Sequence, residues 1–194
     1  MNILLYIYRA VAILIGMVCH EWAHGFASYK LGDPTPKRDG RLSPNPIKHI
    51  DPVGAICLLI GGFGWAKPVQ VNPQYYKDEK KGMAITAIAG PLTNLIISSI
   101  AISLNKHFFG MGSEFLFVVA SINLSLFIFN LIPLPPLDGS KIVAMFLPYN
   151  IYEKYMMLER YGFIILMVLV MGGAFNGFLS TALSFVFGLL YSIL

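Results

Sequence analysis

Three stretches of the chain, Gly82 to Asn105, Phe115 to Leu137 and Tyr161 to Leu194, contain no Asp, Glu, Lys or Arg. Each meets the ~20-residue length that a helix needs to cross the hydrocarbon core of a bilayer. Composition agrees: the chain is 56% hydrophobic and 12% charged, whereas soluble domains carry roughly 25% charged residues. A soluble fold is therefore excluded, and an all-α polytopic membrane protein is expected, a bundle of about five transmembrane helices within a range of four to six. Residues 1–29 read as a retained first helix rather than a signal peptide, because Arg9 splits the apolar run and no small-residue cleavage site closes it. Arg9 itself is read as snorkelling to the headgroups.

The charges that do exist are clustered. Of 24, 14 lie between Lys30 and Lys81 and 5 between Lys141 and Arg160. Placing basic residues on the cytoplasmic side puts 30–81 and 141–160 inside and the Asn105 to Glu114 turn outside, with twelve of the fourteen basic residues in the cytoplasm. The net charge of +4 is thus a topology signal, and a nucleic-acid partner is not expected. Cys19 and Cys57 sit in apolar stretches and read as small hydrophobes, not a disulfide framework.

Between the charged flanks lies Pro52 to Ala66, 15 uncharged residues with four glycines. It is too short to span and too glycine-rich for a firm helix, so a small membrane-re-entrant β-hairpin after the first helix is expected. Non-helical backbone is tolerated at membrane depth only where protein covers it or it lines a wet cavity, which places this segment beside a site. The organisation is then a single domain over 1–194: a first helix at 1–29, a cytoplasmic and re-entrant region at 30–81, core helices at 82–105 and 115–147, and C-terminal helices at 149–194. The 34-residue apolar tail would be about 50 Å as one helix. A break at Gly172, Gly173, Asn176 and Gly177 is expected to divide it in two.

The first helix carries His20-Glu21-Trp22-Ala23-His24, an H-E-x-x-H arrangement. Positions i and i+4 share a helix face, so both imidazoles can reach one tetrahedral metal. Glu21 projects about a quarter-turn away, where it can address a water rather than complete the coordination shell. In a membrane span an ionisable residue costs ~2.5 kcal/mol or more, so it marks function rather than packing. Catalytic zinc takes three protein ligands, and a third donor must come from elsewhere. Asp138 follows Pro133-Leu134-Pro135-Pro136-Leu137, whose prolines cannot continue a helix. The break redirects backbone so as to aim Asp138 into the bundle, though the same residues would also suit a simple turn. His24 lies six residues before Lys30 and Asp138 three before Lys141, so both belong near the cytoplasmic face. His49 and Asp51 read equally as a gate or as a cytoplasmic turn.

His20-Glu21-x-x-His24 together with Asn130-x-x-Pro133-x-Pro135-Pro136-Leu137-Asp138-Gly139 resembles the site-2 protease family of intramembrane zinc metalloproteases, peptidase family M50. Gly90-Pro91-x-x-Asn94 and Gly62-Phe63-Gly64 with Trp65-Ala66-Lys67-Pro68-Val69 agree with it. The resemblance runs from about Gly16 to Gly139. It implies one Zn2+ per chain held by His20, His24 and Asp138, with Glu21 activating water, and membrane-protein substrates cut within or near a transmembrane segment, as in regulated intramembrane proteolysis. It also implies a multi-pass protein of a bacterial or archaeal cell membrane, with the lipid bilayer as its surroundings and the site toward the cytoplasm. No loop has room for a PDZ or CBS module, so the chain is similar to the minimal subgroup.

Asn94 and Asn130 are uncharged donors in apolar spans and are candidates for orienting the peptide or stabilising developing charge, or alternatively for holding helices together. Asn123 is read as structural. Gly62 and Gly64 permit close approach of an extended substrate to a strand edge, with Val69 and Val71 flanking Gln70 in a period-two pattern. The competing function is a membrane metal-binding or transport protein that uses the same His/Asp cluster without proteolysis. Glu21 separates the two, since transport has no need of a base beside the metal.

Overall fold

The computed structural model describes residues 3–43, 45–52, 54 and 67–194. Among them are eight α-helices and two short 3-10 helices. They are α1 (Ile3–Lys30), α2 (Thr35–Arg38), α3 (Glu79–Phe109), α4 (Glu114–Asn130), α5 (Asp138–Ala144), α6 (Tyr149–Met157), α7 (Glu159–Met171) and α8 (Asn176–Ile193), with 3-10 turns at Pro46–His49 and Pro73–Tyr75. The expected re-entrant hairpin, with Gly62 and Gly64, falls outside the described residues.

α3 is inside out relative to a helix of a soluble protein. It turns Ile85, Ile88, Leu92, Ile96, Ile100, Leu104 and Phe108 outward and buries Thr86, Gly90, Asn94, Ser98 and Asn105. Water would reverse that preference; a hydrocarbon exterior satisfies it, and the buried polar groups then bond across helices. α1 does the same with smaller residues, burying Ala12, Gly16, His20 and Ala23 while Ile7, Val11 and Leu14 face outward. The small residues let backbones approach: a Cβ built on Gly16 would stand 2.8 Å from Asn123 Oδ1.

α1 and α3 are long and apolar enough to cross a membrane. α4, α7 and α8, with 17, 13 and 18 residues, reach about 20 to 27 Å, short of a ~30 Å core. Two of the described helices thus reach that length by themselves, and α4 and α8 are shorter apolar helices. The tail divides as anticipated, α7 ending at Met171 and α8 starting at Asn176, with Gly173 at φ 72° in the turn. Within 115–147 the chain leaves helical geometry over residues 131–137, at the prolines that cannot continue a helix, and resumes it at Asp138.

α3 is the hub, packing against α1, α4 and α5, while α1 also meets α4. At one end Ala12, Ala101, Ile102, Val119 and Ala120 form an apolar core, joined by Phe187 and Leu190 of α8. Asn105 closes the α3–α4 turn by accepting from Ser113 N–H (2.9 Å) and donating to Ser113 C=O (3.0 Å). The polar site lies at the other end.

α1 stops by a Schellman turn. Gly32, at φ 106°, donates from its N–H to Tyr29 C=O (3.1 Å), and Asp33 N–H donates to Ser28 C=O (3.1 Å). This reversal returns Asp33 to the side of the helix it has just left. Residues 67–72 then run without helical structure past the same end of α1, and Lys67 N–H donates to His49 C=O (2.8 Å). His49, expected in a loop, is fully buried and bonds through Nε2 to Ser43 C=O (2.9 Å).

Candidate metal centre

His20 and His24 lie one turn apart on α1, and Asp138 is the first residue of α5. Their ligand atoms converge. His20 Nε2 is 3.1 Å and His24 Nε2 3.2 Å from Asp138 Oδ2, and the two Nε2 atoms are 3.0 Å apart.

The protons on these rings are assigned by what lies behind them. His24 Nδ1 is 2.7 Å from the Thr86 carbonyl, which can only accept, so the proton is on Nδ1. Pro91 has no N–H to return to the Ala87 carbonyl, so the α3 ladder is opened in the turn beside Thr86. His20 Nδ1 lies 2.6 Å from Asn94 Oδ1. The Asn94 amide donates both hydrogens elsewhere, to Gly16 C=O and to Asn123 Oδ1, each at 3.0 Å, so its oxygen accepts from His20. Both imidazoles in their neutral form therefore present bare Nε2 lone pairs toward a carboxylate oxygen. Asp138 Oδ2 is buried and has no hydrogen-bond partner. Three electron pairs meet in one buried spot, an arrangement that is repulsive unless a cation joins it. Two imidazoles and a carboxylate fit Zn2+, and three protein donors leave one coordination position for water or substrate.

Close packing brings the triad together. A Cβ on Gly90 would stand 2.5 Å from His24 Nε2 and 2.7 Å from His20 Cε1, so only glycine lets α3 approach both rings. Gly139 has an equivalent role on α5, since a side chain there would collide with the Leu131 and Ile132 carbonyls of the proline segment.

Glu21 stands next to the triad on α1. Its Oε2 accepts from Val69 N–H at 2.8 Å. A cavity of about 200 Å³ opens over the three ligands and Glu21, bounded by Pro68, Val69 and Val71 on one side and by Asn130, Pro136 and Lys141 on another.

The site residues expected from the sequence separate into groups. His20, Glu21, His24 and Asp138 are brought together. Asn130 lines the cavity and donates from Nδ2 to Leu126 C=O (2.9 Å). Asn94 is fully buried behind His20, with every polar atom engaged by protein rather than turned to the cavity. Asn123, read as structural, is the partner that orients Asn94. Thr86, Lys141 and the contact of Val69 with Glu21 were not foreseen. One signal for Thr86 existed: Thr86, Gly90 and Asn94 recur every fourth residue, the spacing of His20 and His24.

An apolar-faced helical bundle that gathers two histidines, an aspartate and a glutamate around one cavity has the makeup of a membrane metallopeptidase. A sequence profile described as Peptidase family M50 matches residues 105–170, the part that contains Asp138. YwhC of Bacillus subtilis, provisionally named a zinc metalloprotease, is 40% identical over 84% of this chain and 79% of its own. Rip2 of Mycolicibacterium smegmatis, similarly named, is 26% identical over 84% of this chain and 66% of its own. A similarly named protein of Methanocaldococcus jannaschii is 28% identical over 73% of this chain and 72% of its own. No solved structure gives a significant match. The chain belongs to peptidase family M50, the site-2 protease family; it is a metallopeptidase, and its metal is zinc.

Proposed function

We propose that this chain is an intramembrane endopeptidase, hydrolysing peptide bonds within or near transmembrane segments of membrane-protein substrates from the cytoplasmic side of a multi-pass bundle. The observation that carries the reading is the convergence of His20 Nε2, His24 Nε2 and Asp138 Oδ2 next to Glu21, inside helices whose outer faces are apolar. Basic residues on both flanks of the site, Lys30 after His24 and Lys141 after Asp138, support the cytoplasmic placement.

In this reading His20, His24 and Asp138 hold Zn2+. Zinc bound there supplies Lewis acidity, polarising the scissile carbonyl and acidifying the attacking water. Glu21 is the general base: Val69 N–H occupies Oε2 and leaves Oε1 to accept the water proton, which then passes to the leaving amine. Asn130 keeps its second N–H for the substrate carbonyl as negative charge develops. Thr86, Asn94 and Asn123 hold the imidazoles in the tautomer that binds metal.

A transmembrane helix hides its carbonyls in its own hydrogen bonds and must be unwound before it is cut. Residues 67–72 are non-helical, and Pro68, Val69 and Val71 line the cavity. Pairing of the unwound substrate with this segment, helped by close approach at Gly62 and Gly64, would replace its lost backbone bonds. Proline at Gly62 or Gly64 is expected to slow cleavage of embedded substrates; full-rate cleavage would remove the hairpin from the proposal. A metal-transit role has no comparable support, since among the described residues no second cluster of metal-ligating side chains continues a path.

The deciding experiment is reconstitution in detergent with a panel of single-span substrates, comparing wild type, Glu21→Gln and chelator-treated protein. Cleavage by wild type alone is expected. Equal cleavage in all three would overturn the assignment.

A further inference from the structure

Asp33 is fully buried and forms no ion pair among the described residues. Three hydrogen-bond donors satisfy it instead. Ser28 Oγ–H and Asn72 N–H both reach Oδ2 at 2.7 Å, and Thr35 N–H reaches Oδ1 at 2.9 Å. The connection continues: Ser28 Oγ is 2.7 Å from the Tyr76 hydroxyl, which is 3.1 Å from Thr86 Oγ1. Thr86 is the residue whose carbonyl accepts from His24 Nδ1.

The carboxylate dictates the direction of every bond in this series. Ionised, it can only accept, so the single Ser28 proton is committed to it. Tyr76 must then donate to Ser28, and Thr86 Oγ1 must donate to Tyr76. A second arm leaves Asp33 through Asn72, three residues after the Val69 amide that engages Glu21. One buried carboxylate is thus linked to two elements that belong to different halves of the site, through Ser28 and Tyr76 to the α3 turn behind His24 and through Asn72 to the segment that engages Glu21.

We propose that Asp33 is a positioning residue of the peptidase site, setting the orientation of His24 through Ser28, Tyr76 and Thr86 and the placement of residues 67–72 over Glu21 through Asn72. The proposal rests on the zinc-peptidase reading above. An Asn at position 33 cannot accept from all three donors, because its amide group would face one side donor to donor. Tyr76→Phe leaves the Asn72 arm intact and cuts only the arm that leads to Thr86.

The test uses the full zinc-loaded chain in detergent, with two readouts: the rate at which a chromogenic chelator withdraws zinc, and kcat and KM on a single-span substrate. Asp33→Asn is expected to speed zinc release and lower kcat by ~10-fold or more, the scale seen when partners of metal ligands are lost. Tyr76→Phe should speed zinc release with KM unchanged. The double variant should release zinc no faster than Asp33→Asn, since both act through one series of bonds. Wild-type release in Tyr76→Phe, or effects that multiply in the double variant, would overturn the proposal, and Tyr76→Phe alone decides it if Asp33→Asn does not fold. Wild type that holds zinc yet cleaves nothing would fail the peptidase reading instead, while the zinc-release comparison still decides whether Asp33 positions His24.

Discussion

Asn94 Oδ1 accepts the Nδ1 proton of His20 at 2.6 Å, across 74 positions of sequence. The contact makes a neutral amide on one helix responsible for the metal-binding tautomer of a histidine on another. Because Asn123 Oδ1 and Gly16 C=O consume both Asn94 hydrogens, the amide cannot flip without losing both bonds and turning N–H toward the His20 donor. Asn94→Ala removes the acceptor and frees the ring. Zinc affinity, measured by competition with a chelator, is expected to fall about 10- to 100-fold with the helical content unchanged. Retention of wild-type affinity would show that His20 needs no such orientation.

Glu21 touches Val69 N–H rather than any of the three ligands through its own hydrogen bonds. Glu21→Gln is therefore expected to abolish cleavage by a factor of at least about 10² to 10⁴ while metal content stays at one zinc per chain. Metal analysis beside the activity assay separates the two effects, and loss of zinc would reassign Glu21 as a ligand.

Gly90→Ala offers a test with an inverted sign. In a helix interior, alanine in place of glycine ordinarily stabilises by about 0.5 to 1 kcal/mol. Here the added methyl would enter the space of both imidazoles, 2.5 Å from His24 Nε2. The variant is expected to lose zinc and to melt below wild type. A higher melting temperature with zinc retained would mean that α1 and α3 can separate without cost.

Asp33 lies outside the membrane-spanning segments, and its pKa is lowered. Burial pushes it up, but hydrogen bonds from Thr35, Asn72 and Ser28 outweigh burial and leave it below the usual carboxylate range. With the folded value depressed, the stabilisation is complete above the ordinary carboxylate pKa and is lost as pH falls through the folded one. Thermal unfolding between pH 6 and pH 3 should therefore show a steeper acid loss in wild type than in Asp33→Asn. Parallel curves would remove Asp33 from the acid response.

Local periodicity was enough to identify much of this protein. At 3.6 residues per turn the spacing of His20 and His24 puts both on one helix face, and the prolines before Asp138 break the helix because each lacks an amide N–H. The uncharged stretches revealed a membrane bundle because charge is expensive in hydrocarbon. These are properties of neighbouring residues, and a chain displays them before it folds. The division of the apolar tail was legible in the same way, since Gly172 and Gly173 mark the turn between α7 and α8.

What surrounds the metal ligands was decided only by the packing of α1 against α3 and α4. Asn94, Asn123 and Thr86 look in the sequence like any polar residues that pair helices; their roles arise because an antiparallel α3 brings Thr86 to His24 and Asn94 to His20. Asp33, Tyr76 and Val69 are further from recognition still, because a Schellman turn and an extended segment bring them to the end of α1 from positions up to 48 residues apart. Sequence by itself determined the apolar spans and the candidate ligands His20, His24 and Asp138, which need one helix turn or one chain break. Tertiary structure decided the tautomers, the hold on Glu21 and the buried carboxylate behind them, because a hydrogen bond requires donor and acceptor within about 3 Å, and only the folded bundle sets that distance.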